Sequence, residues 1–90
     1  MRTFYGVHFW KKDSENFREK NGYTTLKQAS SVAQQLENND KGYHDFTIYA
    51  YHAELINNTF EENGIIYHRL EWQKVYDGFD KYYDINGKPF

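Results

Sequence analysis

The chain has no cysteine and one proline in 90 residues, so neither a disulfide frame nor a thiolate metal site is available, and nothing marks an oxidising compartment. It also lacks any apolar run near the roughly 18 residues a membrane span requires. Its opening, from Met1-Arg2-Thr3-Phe4-Tyr5, carries polar residues within its first dozen positions instead of a continuous apolar run, and a cytoplasmic protein is expected. A basic surplus is missing too: 11 Lys and Arg against 13 Asp and Glu leave −2, which disfavours a phosphate-neutralising partner class. Residues 54–90 lean acidic, with four basic and seven acidic residues, against seven and six in residues 1–53. The six glycines are scattered at 6, 22, 42, 64, 78 and 87, so there is no glycine-rich phosphate loop. Ser14, Ser30 and Ser31 stand in no nucleophile elbow.

What the chain has in excess is aromatic side chains: nine Tyr, seven Phe and two Trp. Ninety residues close one core, and one domain over residues 1–90 without a linker is expected. The longest alternation covers residues 64–76, with Ile66, His68, Leu70, Trp72, Lys74 and Tyr76 on one face and Ile65, Tyr67, Arg69, Glu71, Gln73 and Val75 on the other. Asn63-Gly64 before it suits a tight turn with positive φ. Its partner is predicted over 45–55, with Phe46, Ile48 and Ala50 opposite to Tyr49, Tyr51, Ala53 and Leu55; residues 56–63 read as a turn-rich connection. A first strand over 2–12 is aromatic on both faces, so it belongs in the sheet interior or shows one face to a partner, and either Tyr5, Val7 and Phe9 or Phe4, His8 and Trp10 face the open side. The polar residues 11–22 read as a connection with at most one helical turn. A helix starts at Thr25, whose spacing to Gln28 forms a capping box, and carries Leu26, Ala29, Val32, Ala33 and Leu36 as its buried stripe until Asn38-Asn39-Asp40. A last short strand or an irregular tail is expected over 79–85.

These elements predict an α+β fold: a three- to four-stranded antiparallel sheet with one helix on one face, in the order β-α-β-β. One helix covers one face of such a sheet. The aliphatic set Phe46, Ile48, Ala50, Ile66, Leu70 and Trp72 is assigned to the covered side, against Leu26, Val32 and Leu36. The open side then holds Tyr49, Tyr51, Tyr67, Arg69 and Glu71, with Trp10 and Phe60 as further candidates. Tyr and Arg give large, rigid contact area with polar tips, as binding surfaces favour. Cross-strand aromatic pairs that only stabilise the sheet are the alternative reading.

Catalysis is not called for. His52 and Glu54 lie two apart on one strand, and His68 on the next would complete a zinc-type set if the strands brought them together. His44 and Asp45 are adjacent and, on a regular strand, face opposite ways. A single-stranded nucleic-acid platform would need Lys and Arg around its aromatics, whereas Tyr51 and Tyr67 have Glu54 and Glu71 beside Arg69. The expectation is a non-enzyme with no cofactor and no metal, binding another protein or a second copy of itself. In size, in the absence of cysteine and in texture, as in Lys20-Asn21-Gly22-Tyr23 and Glu61-Glu62-Asn63-Gly64, the chain resembles small accessory proteins of bacteriophages and mobile elements, anti-CRISPR inhibitors among them. That resemblance implies an inhibitor that occupies a surface of a host nuclease or defence complex without catalysis. Close DNA mimics are much more acidic than −2, so a blocked protein site or a locked oligomer is implied over mimicry.

Overall fold

The computed structural model describes residues 1–39, 41–75 and 81–90. Six elements follow one another: β1 (Arg2–Lys11), β2 (Phe17–Tyr23), α1 (Leu26–Asn38), β3 (Tyr43–Glu62), β4 (Ile65–Lys74) and β5 (Lys81–Tyr83). All pairings are antiparallel, in the order β2-β1-β3-β4, with β5 also on β3. This is a small α+β fold dominated by strands. The predicted order lacked β2: residues 17–23 form a strand where a connection was expected. Their composition hides it, because an edge strand takes its hydrogen bonds from β1 and leaves its side chains exposed.

β1 lies between β2 and β3, the interior position being one of the two that its apolar faces allow. Tyr5, Val7 and Phe9 meet the helix, and Phe4, His8 and Trp10 take the other face, which settles a choice the sequence left open. The helix-side core joins Val7, Phe9 and Ile48 to Ala29, Ala33 and Leu36, with Leu26, Val32 and Phe46 packed around them. Thr25 caps the helix by accepting from the Gln28 N–H at 3.1 Å. Gln28 reaches one residue further than the capping-box spacing implies, and accepts from the N–H and hydroxyl of Thr24, both at 3.0 Å. Ser30 is buried and donates to the Ile85 carbonyl at 2.7 Å, which ties the C-terminal segment to the helix.

β3 is the long element. It was predicted over 45–55, yet runs to Glu62, so residues 56–62 are strand and not a connection. β1 pairs with its first half, from Tyr43 to Ala53, and β4 pairs with its second half, from Ala53 to Glu62. Ala53 is the hinge row, with Arg2 on one side and Lys74 on the other. Past it, β3 and β4 continue as a two-stranded hairpin arm, and the whole chain measures 46 × 29 × 21 Å. The assignment of Ile66, Leu70 and Trp72 to the helix-covered core is therefore corrected. The helix packs on β1 and on the first half of β3, and these three side chains are exposed on the arm. Asp40, at the expected helix end, and Tyr76, Asp77-Gly78 and Phe79-Asp80, where the long alternation and the tail meet, lie outside the described residues.

Candidate binding site

The arm is built from its turn outward. Asn63 and Gly64 have φ of 54° and 78°, the pair of left-handed residues that a two-residue hairpin turn with the native twist demands. That turn sets Glu62 opposite Ile65 and fixes every row down to Ala53 opposite Lys74. Odd positions of β3 thus share a face with even positions of β4, since paired residues point the same way. One face carries Leu55, Asn57, Thr59 and Glu61 with Trp72, Leu70, His68 and Ile66. The opposite face carries Glu54, Ile56, Asn58, Phe60 and Glu62 with Gln73, Glu71, Arg69, Tyr67 and Ile65.

On this second face the candidates Phe60, Tyr67, Arg69 and Glu71 come together. Phe60 and Tyr67 are direct cross-strand partners whose rings stack at 5.2 Å with an 18° interplanar angle. The Arg69 guanidinium sits over the Phe60 ring, 5.0 Å from its centroid. Glu71 accepts from the Asn58 amide, so its carboxylate is held in place beside them. Phe60 and Tyr67 are 39% and 41% exposed, so the stack has an outer side in solvent. An aromatic pair flanked by a guanidinium and an anchored carboxylate can grip an apolar side chain and hydrogen-bond the polar groups around it.

Tyr49 and Tyr51 do not belong to this patch. They lie on the other side of the sheet, at the base of the arm, and are 0% and 6% exposed. The expectation that they stand on an open face is corrected, and the unforeseen strand β2 is the reason. Gly6 opens a bulge in β1, and the Tyr49 ring fills the space over it: a Cβ there would lie 2.4 Å from the Tyr49 ring carbon Cζ. The Tyr49 hydroxyl then reaches β2 and donates to Glu19 Oε1. Asn21 also donates to that oxygen, Lys74 Nζ lies 3.5 Å from it, and His8 Nε2 is 3.6 Å from Oε2. Lys74 Nζ hangs over both tyrosine rings, 4.9 Å and 4.7 Å from their centroids. Trp10 lies on this same side but at the far end, edge-on to Phe17 at 6.1 Å. It contributes nothing to the Phe60–Tyr67 patch.

Electrostatics identify the cluster around Glu19 as a structural lock. Burial tends to raise the Glu19 pKa, but the hydrogen bonds from Tyr49 and Asn21 and the charges of Lys74 and His8 outweigh it and hold the carboxyl below its ordinary range. Burial pushes the Tyr49 hydroxyl up, and the Glu19 carboxylate adds to that, so the phenol stays protonated as a donor. His8 is lowered, chiefly by burial and against the pull of Glu19, so at neutral pH it is an uncharged ring packed 4.2 Å from Tyr49.

The zinc-type set does not assemble. His52 pairs with Thr3, accepting or donating at 3.2 Å to its hydroxyl, on the face opposite to that of His68. His68 pairs with Thr59, seven positions further along β3 than His52. Among the described residues, no group of three or more His, Cys, Asp or Glu gathers to hold a metal ion. His44 and Asp45 do meet, Nδ1 to Oδ2 at 2.9 Å, contrary to strand alternation. Asp45 has φ of 56°, where the β1 register also shifts, and that left-handed residue returns its side chain to the side of His44. Both side chains are well exposed. A cavity of about 580 Å³ beside the helix start is lined by Thr24, Thr25, Lys27 and Gln28, and the Thr25 hydroxyl and Gln28 carbonyl there are spent on the cap. No helix among the described residues is long and apolar enough to cross a membrane. No family model, curated protein or solved structure matches this chain.

Proposed function

We propose that this chain is a non-catalytic protein-binding module that meets its partner with the outward patch of the arm: Phe60, Tyr67, Arg69 and Glu71. The observation that carries this is the preassembled Phe60–Tyr67 stack under the Arg69 guanidinium, exposed on a two-stranded projection. Aromatic and Arg side chains dominate binding energies, and ordering them in advance removes part of the entropic cost of association. Tyr49 and Tyr51, buried beneath Lys74 at the base of the arm on its other face, are outside the proposed contact.

The composition supports a phage-encoded inhibitor that occupies a surface of a host nuclease or defence protein. A net charge of −2 and an aromatic patch with one cation and one anion suit a protein surface better than a phosphate backbone. The test is affinity capture with tagged chain from extracts of its host, followed by identification of the retained proteins. A Phe60→Ala, Tyr67→Ala double variant is expected to lose at least about tenfold in retention of the partner, with unchanged circular dichroism. Trp10→Ala is expected to retain it like the wild type. Equal retention by the double variant contradicts the assignment.

A further inference from the structure

The other face of the arm is unused by that patch, and it is the more apolar one. Leu55, Ile66, Leu70 and Trp72 are between 43% and 65% exposed there. An isolated two-stranded hairpin is marginal in water, and four large apolar side chains on one side of it are a surface that gains from being covered. We infer that this face is covered by the same face of a second copy of the chain, the two arms lying antiparallel about a two-fold axis.

The charges on the face select this occupant and this alignment. The face consists of four rows, from base to tip Leu55/Trp72, Asn57/Leu70, Thr59/His68 and Glu61/Ile66. Its anion, Glu61, is at the tip. At the base, the Arg2 guanidinium sits 5.5 Å from the ring centroids of both Trp72 and Phe4, on the same side of the sheet. A two-fold axis between the second and third rows sets each base row against the tip row of the second copy. Trp72 then meets Ile66, Leu70 lies over His68 and Thr59, and Arg2 faces Glu61, twice over. The face is self-complementary in charge and in apolar content, as an isologous contact requires. Parallel arms would instead gather both Glu61 carboxylates at one end and both Arg2 guanidinium groups at the other, which like-charge repulsion disfavours. Four rows two residues apart span about 20 Å, a small footprint beside the roughly 800 Å² per partner of standard stable interfaces. The dimer is therefore a reversible one that dissociates on dilution. It leaves both Phe60–Tyr67 patches facing outward, so that one dimer offers two of them.

Sedimentation equilibrium of the full chain from about 1 to about 500 μM reads this directly. The mass is expected to rise from one chain towards two and to stop there. Leu70→Asp, at a position 65% exposed and so harmless to folding, is expected to weaken association at least about tenfold. Glu61→Arg and Arg2→Glu are each expected to weaken it about tenfold, and the double variant to return to within about threefold of wild type. A chain that stays monomeric throughout overturns the inference, as does a Leu70→Asp dimer as tight as wild type. Charge reversals that do not compensate overturn the antiparallel alignment. The inference and the partner patch fail separately: Phe60→Ala, Tyr67→Ala dimerises normally, and Leu70→Asp still retains the partner.

Discussion

The two halves of β3 are one continuous strand in two different settings. From residue 48 to 53 every side chain but His52 is buried, between β1 on one edge and β4 and β5 on the other, under the helix on one face and over Gly6 and Glu19 on the other. From residue 54 to 62 the same strand has, among the described residues, β4 alone beside it, and only Ile56 of these nine is even partly buried. Burial is concentrated in the first half, and the second half extends from it as an arm. Surface placed on a projection that the core does not depend on is free to serve recognition, and its substitution costs the fold little. In the first half the aromatics are locked; in the arm they are presented.

Substitutions that differ only in the half they strike should separate the two. Ile48→Ala, at the centre of the helix-side core with no exposed surface, is expected to cost about 2–5 kcal/mol in a urea titration, the largest effect. Gly6→Ala drives a methyl against the Tyr49 ring on the other face of the same half, and should cost about 1–3 kcal/mol. Tyr49→Phe keeps the ring but removes the donor to Glu19, and about 1.5–3 kcal/mol is expected from the loss of a charge-assisted hydrogen bond. Acid should weaken the same lock. The unfolded chain takes up a proton at His8 near the ordinary value of 6.5 before the folded chain does, so this contribution is complete above that pH and is lost as pH falls below it. Glu19, also lowered, adds a further loss below about 4.5. Unfolding free energies measured between about pH 7.5 and 5.5 should decline, and His8→Gln should flatten that decline. Leu70→Asp and Tyr67→Ala, in the arm, should each stay within about 0.5 kcal/mol of wild type.

How much of this is legible in the sequence differs by element, for physical reasons. The helix is local: Thr25, Gln28 and the Leu26-to-Leu36 stripe announce it, and the structure has it at Leu26–Asn38. The Asn63-Gly64 turn is equally local, and it already contains the register. A two-residue turn sets residue 62 against 65, which puts Ile66, Leu70 and Trp72 on the side of Leu55 and Tyr51. That constraint separates them from Phe46 and Ile48. Strand β2 was not legible, because Arg18, Glu19 and Lys20 sit on an exposed edge whose pairing is dictated by β1. Without that strand Tyr49 has no acceptor, and the alternation alone puts a buried tyrosine on an open face. Of the candidate site, Phe60, Tyr67, Arg69 and Glu71 do converge, since cross-strand pairing follows from the turn. Tyr49, Tyr51 and Trp10 diverge from them, since their surroundings depend on β2 and on the bulge at Gly6.

The central claim is that the chain meets its partner through the outward patch of the arm and not through the sheet it is anchored to. Photo-crosslinking tests it most directly: a benzophenone side chain is placed at position 67, and in a second variant at position 27 on the exposed helix surface. In host cells, illumination is expected to join position 67 to one discrete protein other than a second copy of the chain, and position 27 to none. The same adduct from both positions, or from position 27 alone, would contradict the claim.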